Sequence, residues 1–296
     1  MRWEDERQSD NVEDRRAQGG GFGGVAMRRG GIGIGAILLA LVGGWLFGIN
    51  PLEILGLIGG IDGGQVVQAP APSGSGQHGV SPADPGGRFV STILASTEDT
   101  WTEIFRQKGA EYRPPRLVMF SGATRTACGT GQSATGPFYC PEDQTVYIDL
   151  NFFQMLQQRF KAPGDFAQAY VVAHEVGHHV QNLLGTMNKV QSRRQRMSER
   201  QYNQLSVLLE LQADCYAGVW ARQSQQAKGW LEKGDVEEGL NAASQIGDDT
   251  MRKRSQGTVV PDAFTHGSSK QRVYWFRAGM ESRQLSDCDT FARTEP

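Results

Sequence analysis

No C-x-x-C pair, no internal repeat and no surplus of one charge occur in this sequence of 296 residues. With 30 Lys and Arg against 32 Asp and Glu, the formal net charge is −2. The basic footprint of a nucleic-acid-binding protein is missing, so no nucleic-acid partner is expected. Without a C-x-x-C pair, a cysteine zinc site is not expected either. The four cysteines are Cys128, Cys140, Cys215 and Cys288. An even count fits two disulfides in an oxidising compartment. Lys and Arg are absent from position 30 to position 87. Glycine is abundant instead, and much of it lies before position 90. The front third therefore differs in kind from the rest of the chain.

Four segments follow from these shifts. Residues 1–29 are charged and glycine-rich and read as a disordered cytoplasmic tail. Residues 31–49 carry no charge; at 1.5 Å per residue they reach roughly 28 Å, close to the hydrocarbon thickness of a bilayer. Residues 30–50 are thus expected to form one transmembrane helix. A core helix would show a polar stripe. A signal peptide seldom has so long a charged lead. Arg15, Arg16, Arg28 and Arg29 precede the run, and the next basic residue is Arg88. The excess of positive charge places the N-terminus in the cytoplasm and the rest outside it. Residues 51–87, rich in Gly, Pro, Ser and Ala, read as a linker in which His78 is solvated. Residues 88–296 form the globular domain.

Within that domain, apolar residues from Phe89 to Phe105 recur at helical spacing and predict a helix over 88–106. Arg116–Phe120 and Thr145–Leu150 are strand candidates. The glycine-rich loop between them carries Cys128 and Cys140, an expected disulfide; Cys215 and Cys288 are the other expected pair. Asp165 with Gln168 has the pattern of a capping box opening a helix over about 166–184, with Gly185 as its stop. Ser198 with Gln201 opens a long helix to about 226, and Asp235 with Glu238 opens another.

The chemistry centres on His174-Glu175-Val176-Gly177-His178. On a helix, positions i and i+4 lie about 40° apart, so His174 and His178 face one metal ion. Glu175 can then act as general base on a water held by that metal. A third ligand has to come from elsewhere. In the long second helix Glu210 and Asp214 share a face amid apolar neighbours, where carboxylates are costly unless paired or metal-bound. Glu210 is read as the third ligand. Asp214 is read as accepting the free ring N–H of a ligand histidine, although the two could exchange roles. His179 lies about 140° round the helix from His174 and reads as a packing residue. His266, just before a helix starting near Ser268, is either an oxyanion-stabilising donor or a histidine at a helix entry with no chemical part. Arg272 is a weaker candidate for the site. One zinc ion per chain is expected. Thr145–Leu150 is a candidate strand to hold an extended substrate.

The stretches H-E-V-G-H-H-V-Q and E-L-Q-A-D-C-Y-A-G, with the opening M-R-W-E and S-D-N-V-E-D-R-R, resemble the bacterial neutral zinc metallopeptidase family with one membrane span. The H-E-x-x-H and E-x-x-A-D pairing is also similar to the gluzincin peptidases of the HtpX and Ste24 type, in which the first Glu of E-x-x-A-D, here Glu210, ligates zinc. This chain departs from that type in having one apolar run and Gly267 where a Pro often follows the late histidine. The resemblance implies an α+β, zincin-like, mostly helical domain with a small sheet. It also implies a peptidase of the bacterial cytoplasmic membrane with a protein or peptide substrate, its domain periplasmic or extracellular. The alternative is a membrane-tethered scaffold or binding protein that uses zinc only to hold its fold.

Overall fold

The computed structural model describes residues 1–18, 77–132, 136–256 and 260–292. The expected span at 30–50 and most of the expected linker at 51–87 lie outside these residues. Among the described residues no helix is long and apolar enough to cross a membrane.

The fold is α+β and mostly helical, with two small sheets. Strands β1 (Val12–Asp14) and β2 (Gln77–His78) are followed by helix α1 (Pro85–Gln107). Asp84 opens α1 by accepting the Gly87 N–H, and Pro85, whose missing N–H costs nothing at a helix start, stands beside it. Then come β3 (Arg116–Phe120), the hairpin β4 (Ala123–Thr126) and β5 (Gly129–Gln132), β6 (Phe138–Cys140) and β7 (Thr145–Asp149). The helices that follow are α2 (Asn151–Gln158), α3 (Asp165–Leu183), α4 (Thr186–Gln191), α5 (Glu199–Lys228), α6 (Asp235–Gln245), α7 (Asp248–Gln256) and α8 (Ser269–Glu281). The main sheet runs β2-β1-β3-β7-β6. β1, β3 and β7 are parallel; β2 and β6, at the edges, run antiparallel to their neighbours.

The expectation for residues 1–29 fails over residues 1–18. These are built into the domain, not disordered. Val12 is 1% exposed in the core, and its strand pairs with β3 in the register Val12↔Leu117. Trp3 packs edge-on against Phe89 and donates its indole N–H to Asp165. Ser9 and Asn11 both bond Glu98 of α1. The segment is too polar to form a core alone, so composition marks it as disordered. It is ordered because α1 and β3 supply the apolar partners and the bonding groups. The domain correspondingly starts before the expected boundary at residue 88, with β2 at Gln77.

Two helix openings also differ from expectation. α3 begins after Gly164, with no side-chain cap of its own. Glu238 of α6 accepts the Phe166 N–H instead, which leaves Asp165 free to bind Trp3. α6 likewise lacks a side-chain cap at Gly234. The Ser198–Gln201 capping box is formed, and a second stands at Ser268–Gln271. α5 and α8 cross at Gly218 and Gly279, where an added Cβ would meet the backbone of the opposite helix. Disulfides Cys128–Cys140 and Cys215–Cys288 are both present.

Candidate metal centre

The site lies where α3 crosses α5. α3 is apolar on most of its faces, so tertiary packing buries it almost throughout. Gly177 makes the close crossing possible, since a Cβ there would approach the Ala213 carbonyl to 2.9 Å. The crossing brings His174, His178 and Glu210 together, with one donor atom from each lying within 4.8 Å of the others. Glu210 faces His174 Nε2 at 3.2 Å and His178 Nε2 at 3.4 Å. A tetrahedral zinc ion with bonds near 2.05 Å separates its ligand atoms by about 3.3 Å. Both separations from Glu210 match that value, and the nitrogen and oxygen donors and their number suit zinc.

The other ring nitrogens orient the two histidines. His174 Nδ1 donates to Asp214 Oδ1 at 2.8 Å. His178 Nδ1 donates to Gln181 Oε1 at 2.9 Å, and Gln181 is held in turn by the Leu209 carbonyl and Gln212. Both Nε2 lone pairs are thus left for a metal. Asp214, fully buried, also receives Arg272 through Nε and Nη2, both at 2.9 Å, and the Tyr170 hydroxyl.

Electrostatics follow from this burial. Burial alone would lower the His174 pKa, but the Asp214 and Glu210 carboxylates outweigh it and raise the value to about 9. A divalent cation would replace that proton. Burial would raise the Glu210 and Asp214 carboxyls. The His178 charge with histidine hydrogen bonds for Glu210, and Arg272 with His174 for Asp214, hold both below the usual range. Glu175, only 7% exposed, goes the other way: burial raises its pKa against the opposing charges of His174 and His178.

A cavity of about 470 Å³ opens onto these groups, lined among others by Phe138, Tyr139, Phe152, Glu175, Glu210 and His266. His266, with a side chain 54% exposed, stands on its rim. Asp248 at the start of α7 accepts the backbone N–H of Thr265 and His266 and lies 3.3 Å from His266 Nδ1. That hydrogen bond raises the His266 pKa against burial. His179 is fully buried on the far side of α3, with Nε2 donating to the Arg113 carbonyl at 2.6 Å and Nδ1 accepting from the Tyr139 hydroxyl.

One expectation is corrected here. β7, within the expected substrate strand Thr145–Leu150, is paired on both sides and has no free edge. The edge strand on this side of the sheet is β6, and Phe138 and Tyr139 on it line the cavity. Sequence reasoning missed Asp248, Tyr139 and Tyr170, whose parts depend on contacts across long stretches of chain. Gln181 was legible in principle, three residues after His178 and on the same helical face.

Fold and site together define an α+β chain with an H-E-x-x-H helix and a third carboxylate donor from a neighbouring helix. A family model described as "Putative neutral zinc metallopeptidase" matches residues 1–291, and the chain belongs to that family. It is 48% identical to "Uncharacterized protein YpfJ" of Escherichia coli K12 over 299 residues, covering 99% of this chain and 100% of the relative. It is 39% identical to "Uncharacterized protein Rv2575" of Mycobacterium tuberculosis over 218 residues, 70% of this chain and 73% of that one. No solved structure matches.

Proposed function

We propose that this chain is a zinc metalloendopeptidase of gluzincin type with a zincin-like domain. In this reading it is tethered to the bacterial cytoplasmic membrane through residues 30–50, with its domain in an oxidising compartment outside the cytoplasm. One observation carries the catalytic reading: three metal-type donors gathered within 4.8 Å of one another line an open cavity that Glu175 also lines. A purely structural zinc site closes its sphere with four protein ligands and has no need of a neighbouring base. The scaffold reading is therefore the weaker one.

His174, His178 and Glu210 would hold the ion, with Asp214 and Gln181 fixing the rings. Zinc so held supplies Lewis acidity to the scissile carbonyl and lowers the pKa of a water. Glu175, its pKa raised by burial, takes the proton of the attacking water and passes it to the leaving amine. His266, its pKa raised by the hydrogen bond to Asp248, donates to the oxyanion of the tetrahedral intermediate. The free edge of β6 pairs with an extended polypeptide. Membrane attachment is supported by the uncharged run at 31–49, and export by the two disulfides.

Glu175→Gln separates base from ligand. The expected outcome is loss of polypeptide cleavage by at least about 100-fold with zinc still bound after dialysis. His174→Ala and Glu210→Ala lose both. Undiminished turnover in Glu175→Gln would overturn the mechanism.

A further inference from the structure

α4 borders two cavities. Its Met187 lines the metal-site cavity, while Thr186, Lys189 and Val190 line another of about 420 Å³. A further cavity, of about 260 Å³, shares Lys108 and Leu285 with the latter. These two adjoining cavities follow one face of α5, on which Leu205, Gln212, Tyr216, Val219 and Gln223 recur at helical spacing. Together they make one groove. From Leu205 to Gln223 it runs about 27 Å at 1.5 Å per residue, the length of about eight residues of extended chain at roughly 3.3 Å each.

The groove is lopsided in charge. Lys108, Lys189, Arg193, Arg222 and Arg283 line it, against the carboxylate of Asp289. Asp289 already accepts the backbone N–H of Phe291 and Ala292. Nearby Asp287 accepts the backbone N–H of Arg283 and Gln284. Arg222 donates to the Ser282 carbonyl, and Lys108, Lys189, Arg193 and Arg283 have no carboxylate partner among the described residues. In a chain of net charge −2, cations gathered along a concave surface focus a field that draws anions to it. Apolar side chains stand between the charges. Leu184 and Phe291, 40% and 37% exposed, flank the groove, and Ile104, Leu205 and Leu285 are partly buried in it. A small inorganic anion would leave that apolar surface wet. An acidic polypeptide with apolar side chains covers both kinds of surface.

The groove also lies close to the metal centre. Leu184 follows His178 by six residues, about 9 Å along α3. Gln212, in the groove, accepts from Gln181 Nε2 at 3.2 Å, and Gln181 Oε1 accepts from His178 Nδ1 at 2.9 Å. A polypeptide seated in the groove has α4 to cross before it reaches the metal-site cavity.

We propose that this groove is an exosite holding an acidic, partly apolar segment of the polypeptide whose scissile bond lies at the metal. The substrate part of the proposal rests on the peptidase reading; the binding part does not.

Binding is measured by fluorescence anisotropy on zinc-loaded, full-length Glu175→Gln protein in detergent, which leaves the probe intact. The probe is a fluorescein-labelled peptide of Asp, Ser and Leu, about twelve residues long and so able to fill the groove. Its control has Asn in place of Asp. The acidic peptide should bind about tenfold tighter than the control, and the advantage should vanish at about 1 M salt, where the Debye length is about 3 Å. Lys108→Gln with Lys189→Gln and Arg193→Gln should remove it as well. Equal affinity for the two peptides, or undiminished binding to the triple variant, overturns the exosite. With no variant at all, a zero-length carbodiimide should join the peptide to Lys108 or Lys189; links found only at other lysines overturn the exosite too. Displacement of the peptide by oligothymidylate or short-chain phosphatidylglycerol at equal charge concentration would assign the groove to another occupant and overturn the acidic polypeptide. Cleavage by the wild-type protein then tests the substrate role. A quenched fluorescent peptide should gain about tenfold in kcat/KM when the acidic segment is added at one of its ends, and the triple variant should bring that ratio toward one. An extension without effect at either end overturns the substrate role. If no peptide is cut, the peptidase reading fails, while anisotropy still decides the groove.

Discussion

His179 stands next to a candidate ligand, yet it serves the fold on the opposite face of α3. Its ring is enclosed by Tyr112 and Tyr139, and both of its nitrogens are bonded. Burial, only partly countered by the Arg113 carbonyl, depresses its pKa from 6.5 to about 4. A depressed histidine favours the neutral form in the folded state. Its contribution is therefore whole above the unfolded pKa and is lost as pH falls from 6.5 toward about 4. At 1.36 kcal/mol per unit the loss is about 3 kcal/mol. The lowered carboxyls of Asp214 and Asp248 act in the same direction but mainly at lower pH. Urea unfolding at pH 7.5 and pH 4.5 should show this drop, and His179→Asn should flatten it. An equally steep fall in the variant would assign the loss to other groups.

Among elements, α5 carries the most of the site that comes from outside α3. Its capping box at Ser198 is local, and the sequence pattern shows it without help. The openings of α3 and α6 look the same in sequence but are not capped that way, because Glu238 reaches across to Phe166. A three-residue spacing cannot tell a cap from a coincidence when another helix offers a better acceptor. α5 is also tied to the C-terminal turn by Cys215–Cys288, which closes a loop of 73 residues. Loop-closure entropy puts its value at about 4 kcal/mol, against about 3 kcal/mol for the 12-residue Cys128–Cys140 loop. Cys215→Ser with Cys288→Ser should lower the melting temperature more than Cys128→Ser with Cys140→Ser. Calorimetry of the two double variants checks the order.

For the whole molecule, residues 1–18 act as a strap that completes the sheet and covers α1. Deleting them exposes Phe89 and one edge of β3, so the truncated chain should be strongly destabilised or insoluble. Joining residue 18 to residue 77 by a short Gly/Ser linker should instead preserve the fold, because Asp14 and Gln77 are strand partners. Chemical denaturation of both forms checks this. If the deletion proved as stable as the joined chain, the strap would be dispensable.

Local spacing was enough to mark the helix that carries His174, Glu175 and His178, the carboxylate pair on α5 that the fold brings beside it, and the strands at 116 and 145. Each of these depends on periodicity or on hydrogen bonds only a few residues apart. Both disulfide pairs were also legible, since four cysteines leave few partners and one pair closes a short loop. The strap, the edge position of β6, the anchoring of His266 by Asp248 and the bonds of Arg272 and Tyr170 to Asp214 were not. Those depend on which surfaces meet after long stretches of chain have closed on themselves, and neighbouring residues carry no trace of that meeting. Val12 reads as one apolar residue in a charged tail, and only β3 beside it makes that residue part of the core.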